Sequence, residues 1–314
     1  MWTYLTQREG WTMRDMDPTP RGPDEGSGCS GCGSAGASSA AEAQMQAQMQ
    51  QARLDDRLSH IKRQILVMSG KGGVGKSTVS ASLAWSLARK GHQVGLLDAD
   101  LHGPSIPLMT GVVGARPVAM PNGIGPVPAD ENLWVMSMGF LTRSADEPLI
   151  WRGPLRSSAL RQLVADVEWG DLDYLITDLP PGTGDEALTV AQAMRGADGV
   201  IIVSTPQEAS LADCRKAINF AHALDLPVVG VVENMSGFVC PHCGEATPIF
   251  STGGARRMAE EMGVRYLGAI PLAPEVVTLS DRGKPVVGED APEAARNAFA
   301  ALAEAVIQAV TTPS

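Results

Sequence analysis

The segment Ser69-Gly-Lys-Gly-Gly-Val-Gly-Lys-Ser-Thr78 holds the densest chemistry in the sequence. Gly70, Gly75, Lys76 and Ser77 fill the fixed places of the pattern G-x-x-x-x-G-K-S/T. Gly70, Gly72, Gly73 and Gly75, with Val74 among them, let backbone N–H groups converge on phosphate oxygens without a Cβ in the way. Lys76 would reach the β- and γ-phosphates of ATP, and the Ser77 hydroxyl, beside Thr78, could ligate Mg2+. Two carboxylate segments follow, Asp98-Ala-Asp100 and Asp178-Leu-Pro-Pro-Gly-Thr-Gly-Asp185. Each comes after an apolar run that reads as a buried strand, and ligands bind at the carboxyl ends of such strands. Asp178 would meet Mg2+ through water, with Gly182 to Gly184 as a backbone able to move when the γ-phosphate leaves. Cys240-Pro-His-Cys243 sets two thiolates close enough for one metal ion or one edge of a cluster, and redox dithiols use the same spacing. No second C-x-x-C lies near it, so a four-cysteine zinc site is incomplete within one chain. Two copies across a two-fold axis would supply four thiolates, enough for one [4Fe–4S] cluster.

These segments need a scaffold, and the apolar pattern supplies one. Short buried-strand runs appear at Ile65 to Met68, Val94 to Leu97, Leu133 to Met138, Tyr174 to Thr177, Val200 to Val203 and Val228 to Val232. Helical stretches lie between them: Ser77 to Lys90, closed by Gly91, then Leu155 to Val167, Asp185 to Met194, Ser210 to Leu224 and Gly254 to Met262. A last helix is expected from Pro292 to Val310. The alternation predicts an α/β fold, a doubly wound and mostly parallel sheet with helices on both faces. Cys214 shares a predicted helix with Leu211 and Ile218 and reads as a small apolar core residue.

Composition narrows the function. From Gly22 to Ser39, eleven of eighteen residues are Gly or Ser, which reads as a flexible arm. Residues 42–60 read as a marginal helix leading into the fold, so the expected division is an arm over 1–61 and a domain over 62–314. The first 64 residues carry 7 basic and 8 acidic side chains, so −9 of the net charge of −10 belongs to the globular part. An acidic domain with a sequence pI near 5.0 argues against a nucleic-acid partner, which requires basic groups against phosphates. No apolar run approaches the roughly 18 residues of a membrane span. Met1 to Gly10 lacks the apolar core of a secretory signal, and Glu9, Asp15, Asp17, Asp24 and Glu25 interrupt any transit peptide, so a cytoplasmic location is expected. Five cysteines, four of them in C-x-x-C pairs, do not make a secreted disulfide scaffold.

Lys71 adds a second lysine to the phosphate loop. The form K-G-G-x-G-K-S/T resembles the deviant Walker A motif of the dimeric ATPases that include nitrogenase iron protein, the partition and septum-site ATPases and the iron–sulfur carriers. By that resemblance Lys71 crosses to the nucleotide of a partner subunit. Asp100 orients the attacking water, and Asp98 acts around the Mg2+. Glu233-Asn-Met-Ser, Cys240-Pro-x-Cys, Ile249-Phe-Ser-Thr-Gly-Gly and Leu267-Gly-x-Ile-Pro-Leu together resemble the Mrp/ApbC family of iron–sulfur cluster carriers. Trp151-Arg-Gly-Pro154 and Asp281-Arg-Gly-Lys-Pro285 match it too, and the likeness runs from about residue 62 to the C-terminus. The resemblance implies a homodimer that binds ATP, holds a [4Fe–4S] cluster through Cys240 and Cys243, and delivers it to apo iron–sulfur proteins. It also places Asn234 against the adenine base. The chain departs from the eukaryotic cytosolic members in its arm, where Cys29-Ser-Gly-Cys32 stands instead of four cysteines. That pair could join across a dimer, assist cluster loading or do neither. Hydrolysis is expected to be slow, because no cis arginine finger is identifiable. Two other readings stay open on the sequence: a partition or septum-positioning ATPase, and a P-loop ATPase whose C-x-x-C is a structural zinc clip.

Overall fold

In the computed structural model, the apolar runs after residue 60 become neighbouring strands of one sheet. The structure describes residues 45, 48, 49, 51–101, 103–140, 153–240 and 245–311. Cys29, Cys32 and Cys243 lie outside these residues.

A helix, α1, spans 51–59 and leads into β1 (Ile61–Ser69), α2 (Lys76–Arg89) and β2 (Val94–Asp98). Next come α3 (Ile106–Met109), the short pair β3 (Val118–Met120) and β4 (Gly123–Gly125), then β5 (Val127–Asp130) and β6 (Leu133–Ser137). The order continues with α4 (Gly153–Asp166), β7 (Leu172–Asp178), α5 (Asp185–Ala193), β8 (Gly199–Ser204), α6 (Glu208–Ala223) and β9 (Val228–Glu233). The hairpin β10 (Phe238–Val239) and β11 (Ala246–Thr247) precedes α7 (Gly254–Glu261), β12 (Tyr266–Ala269), α8 (Pro274–Asp281) and α9 (Glu293–Thr311).

Among the described residues the main sheet has eight strands in the order β12-β9-β8-β1-β7-β2-β6-β5. All neighbours are parallel except β5 against β6. The antiparallel strand sits at the edge, where Pro128 costs no ladder hydrogen bond. The doubly wound, mostly parallel sheet expected from the sequence is therefore present. The chain leaves β1 in one direction to reach β2 and lays β8, β9 and β12 on the other side. This reversal opens a crevice at the carboxyl ends of β1, β7 and β2, where the expected site residues lie.

Strand ends reach further than the apolar runs. β1 starts at Ile61 because Lys62 and Arg63 find partners, Asp173 at 2.7 Å and Asp198 at 2.6 Å. β12 and α8 have no counterpart among the expected elements. Each is short and only partly buried, so neither leaves a long apolar signature.

Helix α2 is buried over nearly all its length although it contains several serines. Ser82 and Ser86 each donate to the carbonyl four residues earlier, which satisfies these hydroxyls inside the core. Their small size brings the helix close to the sheet. Its end is made by Gly91 at φ 89°, with His92 N–H returning to the Leu87 carbonyl. Helix α9 then covers α2 and β12 with a stripe of Ala295, Phe299, Leu302, Val306 and Val310.

Helix α1 docks on the same body. Leu54 is buried in the core, and the Arg57 guanidinium donates to the carbonyls of Asn122 and Ala165. Leu54→Ala is expected to lower the unfolding free energy by about 2–5 kcal/mol, the usual cost of a buried leucine truncation. Denaturant titration would measure it, and a change near zero would separate α1 from the cooperative unit.

Candidate functional site

The three strand ends at the crevice bring the acids and the phosphate loop together. Asp98 and Asp178 are direct neighbours across β2 and β7, and Val67 of β1 pairs with Asp178 on its other side. Asp178 is fully withdrawn from water. Its Oδ2 lies 2.7 Å from Lys76 Nζ and accepts the Ser77 hydroxyl at 2.6 Å. Its Oδ1 accepts the Ser80 hydroxyl at 2.6 Å. The pair is buried on both sides, so removing either partner would strand a charge at a cost of about 3–5 kcal/mol.

Asp98 is held differently. Its carboxylate accepts the backbone N–H groups of Asp100 (3.1 Å) and Ile106 (3.3 Å) and the Ser137 hydroxyl (3.0 Å). Burial and the neighbouring Asp178 charge push its carboxyl above the usual carboxylate range, against the pull of these donors and of Lys76. Asp100 is half-buried, and its own carboxylate accepts the Gly103 N–H at 3.2 Å. The first carboxylate segment is thus pinned at Asp98 and presents Asp100 one step further out.

The phosphate loop is shaped by its neighbours. A Cβ on Gly70 would lie 2.3 Å from the backbone carbonyl of Asp213 in α6, so only glycine fits there. Gly75 takes φ 80°, and a Cβ on it would lie 2.1 Å from the Asn234 side-chain amide. Asn234 is buried, and its amide donates to the Val74 carbonyl at 2.9 Å. Among the described residues no side chain caps Gly75, so the first N–H groups of α2, those of Lys76, Ser77 and Thr78, face the loop. Gly72 and Gly73 complete the loop. Lys71 is half-buried, and its carbonyl accepts the Ser69 hydroxyl.

The residues present suit a magnesium nucleotide. The donors at Ser77, Asp178 and Asp98 are hard oxygens, which Mg2+ prefers, and Lys76 Nζ stands 2.7 Å from Asp178 and 3.4 Å from the Ser77 hydroxyl as the phosphate-side cation. Among the described residues no three His, Cys, Asp or Glu side chains gather to hold an ion by themselves. That pattern fits Mg2+, which is usually bound by one or two carboxylates together with substrate phosphates.

Cys240 follows β10, is half-buried, and donates its N–H to the Glu245 carbonyl at 3.0 Å. Its partner Cys243 is outside the described residues, as are Cys29 and Cys32. Cys214 is buried in α6, as its neighbours Leu211 and Ile218 suggest, and burial pushes its thiol up to about 12.

Several participants have no signature in the pattern. Ser80 is one helical turn beyond Lys76, and Ser137 ends β6; their spacing to Asp178 and Asp98 exists only in the fold. Glu233 appears in the sequence only as the first residue of the motif Glu-Asn-Met-Ser. In the structure it is fully buried and its carboxylate accepts the N–H groups of Gly253 at 2.8 Å and Ala255 at 2.7 Å.

A neutral thiol is a poor nucleophile, and Cys214 stays neutral throughout the working range because its titration lies far above it. Iodoacetamide at pH 8 is therefore expected to modify Cys240 and leave Cys214 intact in the folded protein. Peptide mass spectrometry would check this, and equal labelling of the two would contradict the burial of α6.

Comparison with known proteins agrees with this geometry. The family profile described as "ParA: NUBPL iron-transfer P-loop NTPase" matches residues 60–307. The iron-sulfur cluster carrier protein of Methanococcus maripaludis is 47% identical over 262 residues, covering 83% of this chain and 90% of the relative. The cytosolic Fe-S cluster assembly factor NUBP2 homolog of Culex quinquefasciatus is 51% identical over 236 residues, 74% of this chain and 92% of the relative. A solved nucleotide-binding protein of Archaeoglobus fulgidus in complex with ADP superimposes with a TM-score of 0.68 at 41% identity, covering 78% of this chain and 95% of that one. With the profile matched over residues 60–307 and relatives about half identical to it, the chain belongs to the iron-transfer P-loop NTPase family.

Proposed function

We propose that this protein is a dimeric carrier that binds and slowly hydrolyses ATP, holds a [4Fe–4S] cluster as cargo and passes it to apo iron–sulfur proteins. The observation that carries the reading is the placement of Cys240. It lies on a hairpin that follows the end of β9 within a few residues of Asn234, whose amide rests on the phosphate loop. Cys240 and the phosphate loop are thus linked through Asn234 at the end of β9. The names of the Methanococcus and Culex relatives support an iron–sulfur role, and the latter's name supports a cytosolic location.

In this reading Cys240 and Cys243 of two copies supply the four thiolates, and Lys71 reaches the nucleotide bound by the other copy. Lys76 and the first N–H groups of α2 hold the phosphates, and Asn234 faces the base. Ser77, Asp178 and Asp98 hold Mg2+, which neutralises charge on the β- and γ-phosphates. Asp100 orients the attacking water. Turnover is slow because no arginine finger is identifiable in cis. The partners are a second copy and apoproteins, with neither nucleic acid nor membrane required. No helix among the described residues is long and apolar enough to cross a membrane.

Anaerobic reconstitution tests the cargo. Wild type is expected to retain iron and acid-labile sulfide in equal amounts, and a Cys240→Ala/Cys243→Ala double variant to lose both. Zinc in place of iron, or full retention by the double variant, would sink the proposal. Sedimentation of the reconstituted protein checks the dimer; a strictly monomeric iron-loaded form would refute the shared site.

The nucleotide half is tested separately. Lys76→Ala is expected to weaken Mg·ATP binding by about 2–5 kcal/mol, as for truncating one partner of a buried charge pair. Calorimetry would show it. Phosphate release by wild type as fast as that of motor ATPases would overturn the slow hydrolysis.

A further inference from the structure

Glu233 is a buried carboxylate with no role in the chemistry described above. It ends β9, one residue before Asn234. Among the described residues no lysine or arginine forms an ion pair with it. Its charge is met by the start of α7 instead. Oε1 accepts the Gly253 N–H at 2.8 Å, and Oε2 accepts the Ala255 N–H at 2.7 Å. Oε1 also accepts the Ser236 hydroxyl. An anion at a helix start is favourable, and here it is supplied from 20 residues away.

The three donors have a particular relation to the cysteine. The chain leaves the body after Ser236, where the hairpin carrying Cys240 begins, and returns to it at Gly253 and Ala255. One carboxylate therefore ties the outgoing root to the returning root. The outgoing side is fixed further by backbone bonds: Ser236 N–H to the Ile270 carbonyl, and Leu272 N–H to the Gly237 carbonyl. Ile270 N–H in turn donates to the Glu233 carbonyl at 2.8 Å. Next along the chain, Asn234 touches the phosphate loop, with its N–H on the Ser204 carbonyl and its side-chain amide on that of Val74. A shift at Val74 or Gly75 reaches Glu233 through one hydrogen bond to Asn234 and one peptide link, and from there both roots at once.

We infer that Glu233 is a positioning residue that clamps both roots of the Cys240 hairpin to the nucleotide-contacting strand end, so that the setting of Cys240 follows the state of the phosphate loop. The consequence for cluster retention rests on the proposed cargo function. The clamp itself does not, because thiol reactivity reports it without iron.

The test compares Cys240 alkylation in the full-length, iron-free protein with and without Mg2+ and a non-hydrolysable ATP analogue, at one fixed protein concentration. Peptide mass spectrometry reads the rate at Cys240. In wild type the nucleotide is expected to change that rate by about fivefold, the lower end of ordinary coupling between sites. Glu233→Gln replaces an acceptor oxygen with an amide donor that faces a donor. It is expected to compress the change to under about twofold while nucleotide affinity stays within about twofold of wild type, since the lost term is coupling rather than binding. A residue that only supported the fold would leave the nucleotide-dependent ratio intact in whatever protein remained folded. Ser236→Ala keeps the carboxylate on α7 and removes only the outgoing root; it is expected to reduce the ratio by about half and decides the matter if Glu233→Gln does not fold. A wild-type ratio of one, or a wild-type ratio preserved in the folded Glu233→Gln protein or in Ser236→Ala, would overturn the inference. Absence of bound iron in wild type would refute the cargo function alone and leave the clamp standing.

Discussion

The carboxylate of Asp178 organises the centre of this protein. It is withdrawn from water, so its charge must be met by protein groups, and the groups that meet it define the site. Lys76 and Ser77 come from the phosphate loop and the start of α2, and Ser80 from the next turn of the same helix. These contacts fix the helix to the strand end at the point where phosphate and Mg2+ are expected. They also require α2 to lie close against the sheet. Small residues along that helix allow it, with the Ser82 and Ser86 hydroxyls satisfied by the carbonyl one turn back.

A second buried carboxylate governs the other half of the molecule. Glu233 has no cationic partner among the described residues and takes its donors from the start of α7 and from the Ser236 hydroxyl. The two acids solve the same desolvation problem in different ways. Asp178 uses a lysine that the proposed function also sets against phosphate, whereas Glu233 uses backbone N–H groups and one hydroxyl. The first arrangement suits a site that exchanges partners. The second suits a permanent tie between a strand and the segment that returns from the cysteine hairpin.

Much of this was legible in the residues. Continuous apolar runs identify β2, β7, β8 and β9, because a strand covered on both faces must be apolar throughout. Gly91 marks the end of α2, since the turn there needs a positive φ. The core position of Cys214 follows from its helical neighbours. Legibility fails where burial is partial. β12 and α8 are short and half-wet, so hydrophobic periodicity does not reveal them. The helix α1 was legible within 42–60, but its docking was not, because that depends on Leu54 and on Arg57 reaching carbonyls far along the chain.

The sequence by itself determined the chemistry on offer: a glycine-rich loop with its lysine and serine, acids at two strand ends, and a paired-cysteine motif after a third. Those features are local, and each is written in a few consecutive residues. Only the tertiary structure decided which of them meet. Asp98 and Asp178 become neighbours because β7 is inserted between β1 and β2, an order that no local pattern records. Ser80, Ser137 and Glu233 acquire their roles from hydrogen bonds between segments distant in the chain. Such bonds depend on where strands end relative to one another, and that follows from the packing of the whole sheet rather than from any spacing in the sequence.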